Sequence, residues 1–218
     1  LDRNLKELVG STYLGGGDTD RGNSLGLDHA GNVIVTGGTA SDDFPTTAGA
    51  FDPTFNEGNV SYFRYDAFVS KLNGDLTRML ASTFLGGSMS EAGNFLLVDR
   101  SGNLYLTGPT NSTDFPITPG AYDRTLNGGN GYYHGDAFVS KLDGDLSALL
   151  ASTYLGGEDD ETGASLAFGC WGGVYIAGST YSVDFPTTPG SYEPKFSGYE
   201  GDSCEAFISK LKNNLSEL

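Results

Sequence analysis

The sequence is poor in the residues from which most catalytic centres are built. Of 218 residues, only two are histidine, two cysteine, two methionine and one tryptophan. Two histidines leave no room for a His-based zinc centre or for several histidine general bases. Basic side chains are scarce too: 12 Lys plus Arg stand against 28 Asp plus Glu, a formal charge of −16. Nucleic acid and anionic membranes both need a Lys/Arg footprint, so this balance argues against either partner. No apolar run reaches the roughly 18 residues of a spanning helix, and none is expected. No Gly-x-Ser-x-Gly elbow, phosphate loop or paired-histidine metal motif is expected. No signal-peptide pattern opens the sequence, which predicts a mature chain or one that is not secreted.

What is abundant is glycine, 33 residues, with 13 Phe and 12 Tyr. The glycines lack the triplet period of collagen, and the aromatic and Val/Ile/Leu content argues against disorder. The chain repeats itself. Ser11-Thr12-Tyr13-Leu14-Gly15-Gly16 returns as Ser82 to Gly87 and as Ser152 to Gly157, at spacings of 71 and 70. Asp43-Phe44-Pro45 returns at Asp114 and Asp184, and Ala67-Phe68-Val69-Ser70-Lys71-Leu72 returns at Ala137 and Ala206. Residues 1–218 therefore read as a single array, with repeats of about 11–81, 82–151 and 152–218. Residues 1–10 align with the end of a preceding unit.

Each unit predicts four short strands. The first is Ser24–Leu27 or Phe95–Val98, followed by a tight Asp-x-x-Gly-Asn turn in which Gly takes positive φ. The second is Val33–Thr36, Leu104–Thr107 or Val174–Ala177. After a long Pro/Gly/Asn-rich connection come the Ala-Phe-Val-Ser-Lys-Leu strand, a Gly-Asp turn, and a fourth strand such as Met79–Leu85. No segment carries a sustained helical period with caps, so the class is all-β. The second strands are apolar on consecutive residues, which predicts burial on both faces. Stacked four-stranded blades of a β-propeller, forming a partial propeller or part of an assembled one, meet that requirement; a sandwich does not explain the repeat. The expected core includes Leu27, Val33, Val35, Phe68, Leu85, Phe95, Leu104, Leu106, Phe138, Leu155, Val174, Ile176 and Phe207.

Gly31-Asn32-Val33-Ile34-Val35-Thr36-Gly37 with Asp43-Phe44-Pro45, together with the Ser-Thr-Tyr-Leu-Gly-Gly and Asp-Ala-Phe-Val-Ser-Lys-Leu strings, resembles the bacterial beta-propeller repeat family described as seven-bladed. The resemblance spans all three copies and implies a propeller from a secreted or surface protein, with no agreed catalytic residues to carry over. The third copy departs from it at Gly169-Cys170-Trp171-Gly172-Gly173, where the Asp-x-x-Gly-Asn turn is lost.

Several positions are candidates for function. Asp20, Glu91 and Glu161 recur just past the Gly-Gly pair, with extra carboxylates at Asp18, Glu158, Asp159 and Asp160. Such a loop could ligate calcium; no other cofactor is implied, and the plainer reading is a solvated acidic turn. Lys71, Lys141 and Lys210 recur in the third strand and predict ion pairs with Asp66, Asp136 and Glu205. Asp43, Asp114 and Asp184 are expected to fix the local turn, with Phe44, Phe115 and Phe185 as core plugs. The connections carry Tyr62, Phe63, Tyr65, Tyr132, Tyr133, His134 and Tyr199, rings that would bind a glycan or protein, or pack over the blade rims. Cys170 and Cys204 are a disulfide candidate, although a blade would place them at opposite ends. Asn59, Asn111 and Asn214 match the N-glycosylation pattern.

Three functions follow as expectations. The leading one is a non-catalytic extracellular or cell-surface module for assembly or for binding a protein or glycan. The alternatives are a carbohydrate-active enzyme centred on His134 with Tyr132 and Tyr133, and a subunit of a fibre or larger complex linked by strand exchange. Propellers close with about 4–8 blades, so three need partners: copies of the chain, other subunits or further chain. Ser11–Leu14 is expected to be the fourth strand of a blade completed elsewhere, and Ala206–Leu211 a third strand lacking its fourth.

Overall fold

A computed structural model describes residues 4, 6–56, 65–128, 135–170, 172–198 and 203–218. Among them are eleven strands and no helix. The first blade holds β1 (Asp20–Leu27), β2 (Val33–Thr39), β3 (Asp66–Leu72) and β4 (Met79–Leu85). The second holds β5 (Phe95–Val98), β6 (Leu104–Thr110), β7 (Asp136–Leu142) and β8 (Leu149–Leu155). The third has β9 (Glu161–Phe168), β10 (Val174–Thr180) and β11 (Glu205–Leu211), and stops at three strands. Every sheet is antiparallel in simple sequence order.

The register repeats with the sequence. Val33 faces Leu72 and Thr39 faces Asp66; the same pairs recur as Leu104 with Leu142 and Thr110 with Asp136, then as Val174 with Leu211 and Thr180 with Glu205. Turn chemistry sets it. Gly31 and Gly102 take φ of 81° and 85°, and Asp28 accepts hydrogen bonds from the backbone N–H groups of Ala30 and Asn32 at 2.9 Å. After the expected Gly-Asp turns the left-handed residue is a leucine, Leu76 and Leu146, and Leu215 does the same after Asn213-Asn214, with φ of 57–58°. Leu146 and Leu215 are buried, and their carbonyls accept the N–H groups of Phe51 and Tyr122 from the preceding blade at 2.8 Å. A strained leucine thus latches one blade to the next, which offsets its backbone cost.

Adjacent blades stack, with β1 against β5 and β5 against β9, so the blades converge on the side of their first strands. That is the radial arrangement of a propeller. Two hydrophobic clusters fill the seams. One joins Ile34 and Val69 to Leu96, Leu104 and Phe138; the other joins Tyr105 and Val139 to Leu166, Ile176 and Phe207. The second strand of the middle blade is buried on both faces, as expected from its consecutive apolar residues. Phe44 and Phe115 are the predicted plugs, packed at a tilt against Phe68 and Phe138 at 4.5 and 4.7 Å between ring centres.

One expectation needs correction, the place of Leu27 in the core. Leu27 is not core: it is exposed on the uncovered face of blade 1, while Val33, Val35 and Phe95 are half-buried. Ser11–Leu14 is not a strand here, although its counterparts are β4 and β8. A strand is defined by pairing, and among the described residues no third strand lies beside this segment.

Candidate functional site

The seams between blades are where the repeated polar residues meet. Glu91, almost wholly buried, accepts the N–H of Gly87 at 2.9 Å and the hydroxyls of Thr110 and Ser112 at 2.7 and 2.6 Å. Asp20 makes the same bonds to Gly16, Thr39 and Ser41, and Glu161 bonds Gly157 and Thr180. The next amides are captured as well. Gly17, Ser88 and Glu158 donate to Asp43, Asp114 and Asp184; Asp18, Met89 and Asp159 donate to Ser41, Ser112 and Ser182. The Asp before Phe-Pro therefore anchors the Gly-Gly loop 26 residues away in sequence, not its own turn. Glycine is required here for space: a Cβ at Gly87 would lie 2.5 Å from Ser112 and 2.6 Å from Asp114.

These bonds engage Asp20 and Glu161 of the calcium expectation, whose other members are Asp18, Glu158, Asp159 and Asp160. The repeated acid points back onto its own loop, and Asp160 accepts the Gly135 N–H at 3.0 Å. Among the described residues no three His, Cys, Asp or Glu side chains are placed to hold a metal ion.

The lysine expectation is corrected. Lys71 pairs with Asp28 at 2.9 Å and Lys141 with Asp99 at 3.6 Å, the acids of the Asp-x-x-Gly-Asn turns. Asp66 lies five residues from Lys71 on the same strand, hence on the opposite face and at the other end. In the third copy glycine replaces the turn acid, and Lys210 lies over the Tyr175 ring at 5.3 Å. Desolvation raises the pKa of Asp28, but hydrogen bonds from Asn32 and Lys71 outweigh it and hold the carboxyl well below its ordinary range. Lys71→Ala is expected to cost about 1–2 kcal/mol, because the pair is partly buried and charge-assisted. Urea unfolding checks this, with Lys210→Ala costing less since Lys210 makes no ion pair among the described residues.

Freed from the lysines, Asp66 and Asp136 are buried acids that fasten the long connections. Asp66 accepts the Asn56 N–H at 2.9 Å, and its Oδ1 has no partner. Asp136 accepts from Asn127 and Gly128, each at 3.2 Å. Desolvation pushes Asp66 up to about 8 and Asp136 to about 7, with the nearby charges of Glu91 and Glu161 adding to the rise. Nothing in the repeat pattern distinguished these acids from surface ones.

Of the aromatic loop candidates, Tyr62, Phe63, Tyr132, Tyr133, His134 and Tyr199 lie outside the described residues. Tyr65 accepts a hydrogen bond from Arg21 Nη1 at 3.0 Å, with the guanidinium 5.2 Å from its ring. The pair borders a small cleft of about 220 Å³ with Glu91 and Asn111. Cys170 and Cys204 are both free and exposed, so the disulfide expectation is corrected. Cys170 follows β9 at the Val174–Leu211 end of the sheet, and Cys204 precedes β11 at the Thr180–Glu205 end. Titration with a thiol reagent should find two reactive groups in the folded chain; none or one would overturn this placement.

Gly22-Asn23-Ser24-Leu25-Gly26 spells the hydrolase elbow pattern but not its structure. Ser24 lies inside β1 beside a bulge, and its hydroxyl accepts the Leu96 N–H at 3.3 Å across the seam. An elbow needs a strand-to-helix turn that exposes the serine.

A further concavity lies at the open side of β11. It is a groove of about 560 Å³ between β11 and the segment from Val183 to Phe196. In blades 1 and 2 the corresponding space is filled by β4 and β8. Those strands are held from their outer side by Thr47 and Asp52, or by Thr118 and Asp123. The repeated Thr after Asp-Phe-Pro was the one sequence signal for this clamp.

Comparison with known proteins supports the same architecture. Residues 93–116 match the family model described as a beta-propeller repeat (SBBP). No curated protein matches the chain. The matched stretch runs from β5 through β6 to Asp114-Phe115-Pro116, and its counterparts recur in the other two copies. The chain is thus similar to a beta-propeller repeat over residues 93–116, within an all-β array of three like units.

Proposed function

We propose that the chain is a non-catalytic propeller module, placed outside the cell or on its surface, that works by assembling with or binding a macromolecular partner. One observation carries this reading: positions sealed inside the seams are open at the two outer faces. Leu96 and Leu166 are 3% and 5% exposed, but their counterpart Leu25 on blade 1 is 67% exposed. Val69 and Val139 are fully buried, but their counterpart Ile208 on blade 3 is 79% exposed. Apolar surface shaped to be covered is a contact surface, for a copy of the chain, another subunit or further blades of a longer chain. The strongly acidic composition and the propeller repeats support a soluble module rather than a nucleic-acid or membrane binder. The repeated carboxylates support a structural role for themselves, since each is spent on backbone amides and hydroxyls.

Hydrogen exchange of the purified chain tests the reading. It would be followed at low and high concentration, and with purified polysaccharides added. Slowed exchange confined to residues 6–16 and 203–218, or to the faces around Leu25 and Ile208, is the expected result. Exchange that changes nowhere under any condition would sink it.

A further inference from the structure

A small cleft opens between blades 1 and 2, at the end of the sheets that carries the long connections. We propose that it binds a single uronic acid residue of an otherwise neutral glycan, with Arg21 and Tyr65 holding the carboxylate and Ser90 and Asn111 the ring hydroxyls. The inference rests on the binding reading above and names a ligand class for it.

The cleft has a fixed frame. Tyr65 immediately precedes β3, and its carbonyl accepts the Glu91 N–H across the seam at 2.6 Å; Asn111 donates its N–H to the Ser90 carbonyl at 3.1 Å. Asn23, at the bulge of β1, donates its side-chain amide to the Gly93 carbonyl of blade 2 at 3.1 Å. Ala92 and Pro109 add apolar surface. Glu91 is the acid of the lining, but its carboxyl is spent on Gly87, Thr110 and Ser112. The volume, about 220 Å³, falls below the roughly 300–1,000 Å³ of pockets for drug-sized ligands, and one sugar ring is what it can hold.

The polar groups that the frame does not use point to the ligand. Arg21 is exposed and makes no ion pair among the described residues, in a chain with 28 acids against 12 bases. One guanidinium N–H goes to the Tyr65 oxygen at 3.0 Å, and the others remain for a carboxylate. The Tyr65 oxygen accepts that bond, so its own O–H is left to donate beside the guanidinium. Neither the Ser90 hydroxyl nor the Asn111 amide has a hydrogen-bond partner among the described residues. Both groups donate and accept, which matches sugar hydroxyls; a peptide aspartate would leave them unused. A net charge of −16 repels a polyuronate, which restricts the fit to a lone acid residue in a neutral glycan. The second seam lacks this set. Ala92 stands there for Arg21, Gly135 for Tyr65 and Tyr181 for Asn111, and Asp160 replaces Ser90 with its carboxylate on the Gly135 N–H. A seam therefore forms without the arginine and the tyrosine, and their pairing is free to serve a ligand.

NMR titration of the full chain with methyl glucuronide tests the proposal, with methyl glucoside, acetate and a capped aspartate peptide as comparisons. The backbone amides of Glu91, Ala92 and Asn111 are already hydrogen-bonded, so occupancy is read from the side-chain signals of Arg21 and Asn111 rather than from exchange. Saturable shifts with methyl glucuronide in the millimolar range are expected, at least about tenfold tighter than with any of the other three. Arg21→Gln alters an exposed side chain, so it should fold, which far-UV dichroism and urea unfolding verify, and it should lose about tenfold or more in affinity. Asn111→Ala should weaken methyl glucuronide and leave acetate unchanged. No saturable binding, or equal binding by wild type and Arg21→Gln, would overturn the proposal. Acetate or the aspartate peptide binding as tightly as the glucuronide would overturn it too, since the cleft would then read a carboxylate and no sugar. A cleft silent to the glucuronide in a chain whose exchange is slowed elsewhere would leave the binding reading standing. A silent cleft with exchange unchanged under every condition would remove both.

Discussion

Glu91→Ala is expected to destabilise the chain by about 3 kcal/mol, lowering the thermal midpoint by roughly 10 °C at this chain length. The carboxylate is buried and is the acceptor for the Gly87 amide and for two hydroxyls. Alanine leaves the amide and the hydroxyls without it in a dry seam, and an unsatisfied buried donor costs about 1–3 kcal/mol. The loss is partly offset because a desolvated charge is also removed. Glu91→Gln keeps one acceptor oxygen and the side-chain shape, and the two hydroxyls can turn to accept from its amide, so it should cost about half as much. Asp20→Ala is the internal control. It removes the same three bonds at the open face of blade 1, where water replaces them, and should cost about 1 kcal/mol or less. Urea unfolding of the three variants decides; equal losses at Glu91 and Asp20 would show that the seam does not set the cost.

Stability should also fall as pH rises through neutrality. Asp66 and Asp136 ionise in the unfolded chain near the ordinary aspartate value of about 4. In the folded chain desolvation holds their protons up to about 8 and about 7. Between these limits the folded state binds more protons than the unfolded one, so the slope of stability with pH is negative. The contribution is complete below the unfolded value and is lost as pH passes 7 and then 8. A fall of roughly 10 °C in thermal midpoint from pH 5 to pH 9 is expected. Asp28, Asp99 and Asp143 act in the opposite sense: their hydrogen bonds outweigh desolvation and lower their pKa, so their stabilisation is lost as pH falls below about 4. The optimum therefore lies on the acid side of neutrality. The double substitution Asp66→Asn with Asp136→Asn should flatten the alkaline limb and melt above the parent at pH 9. A parent chain whose midpoint is constant or rises from pH 5 to pH 9 would contradict the burial of both acids.

Local patterns carried most of the architecture. Strand positions, the Asp-x-x-Gly-Asn turns and the aromatic plugs were legible because pairing period and turn geometry depend on residues within a few positions of each other. The partners of Lys71 and Asp43 were not, because each reaches a residue more than 25 positions away and the repeat offers several acids of equal spacing. Cys170 and Cys204 show the intermediate case: their separation followed from strand order alone.

By itself, then, the sequence determined an all-β chain of three like units, the positions of their strands and the Asp-x-x-Gly-Asn turns between them. The tertiary structure decided what those like residues experience. Leu25, Leu96 and Leu166 are one residue at one position, yet only the last two lie against a neighbouring blade. Asp20 and Glu91 make the same bonds, yet only Glu91 makes them away from water. Ser11–Leu14 has the sequence of β4 and β8 but, among the described residues, no strand beside it. Burial and pairing are properties of neighbours, and a repeat gives its copies the same residues without giving them the same neighbours.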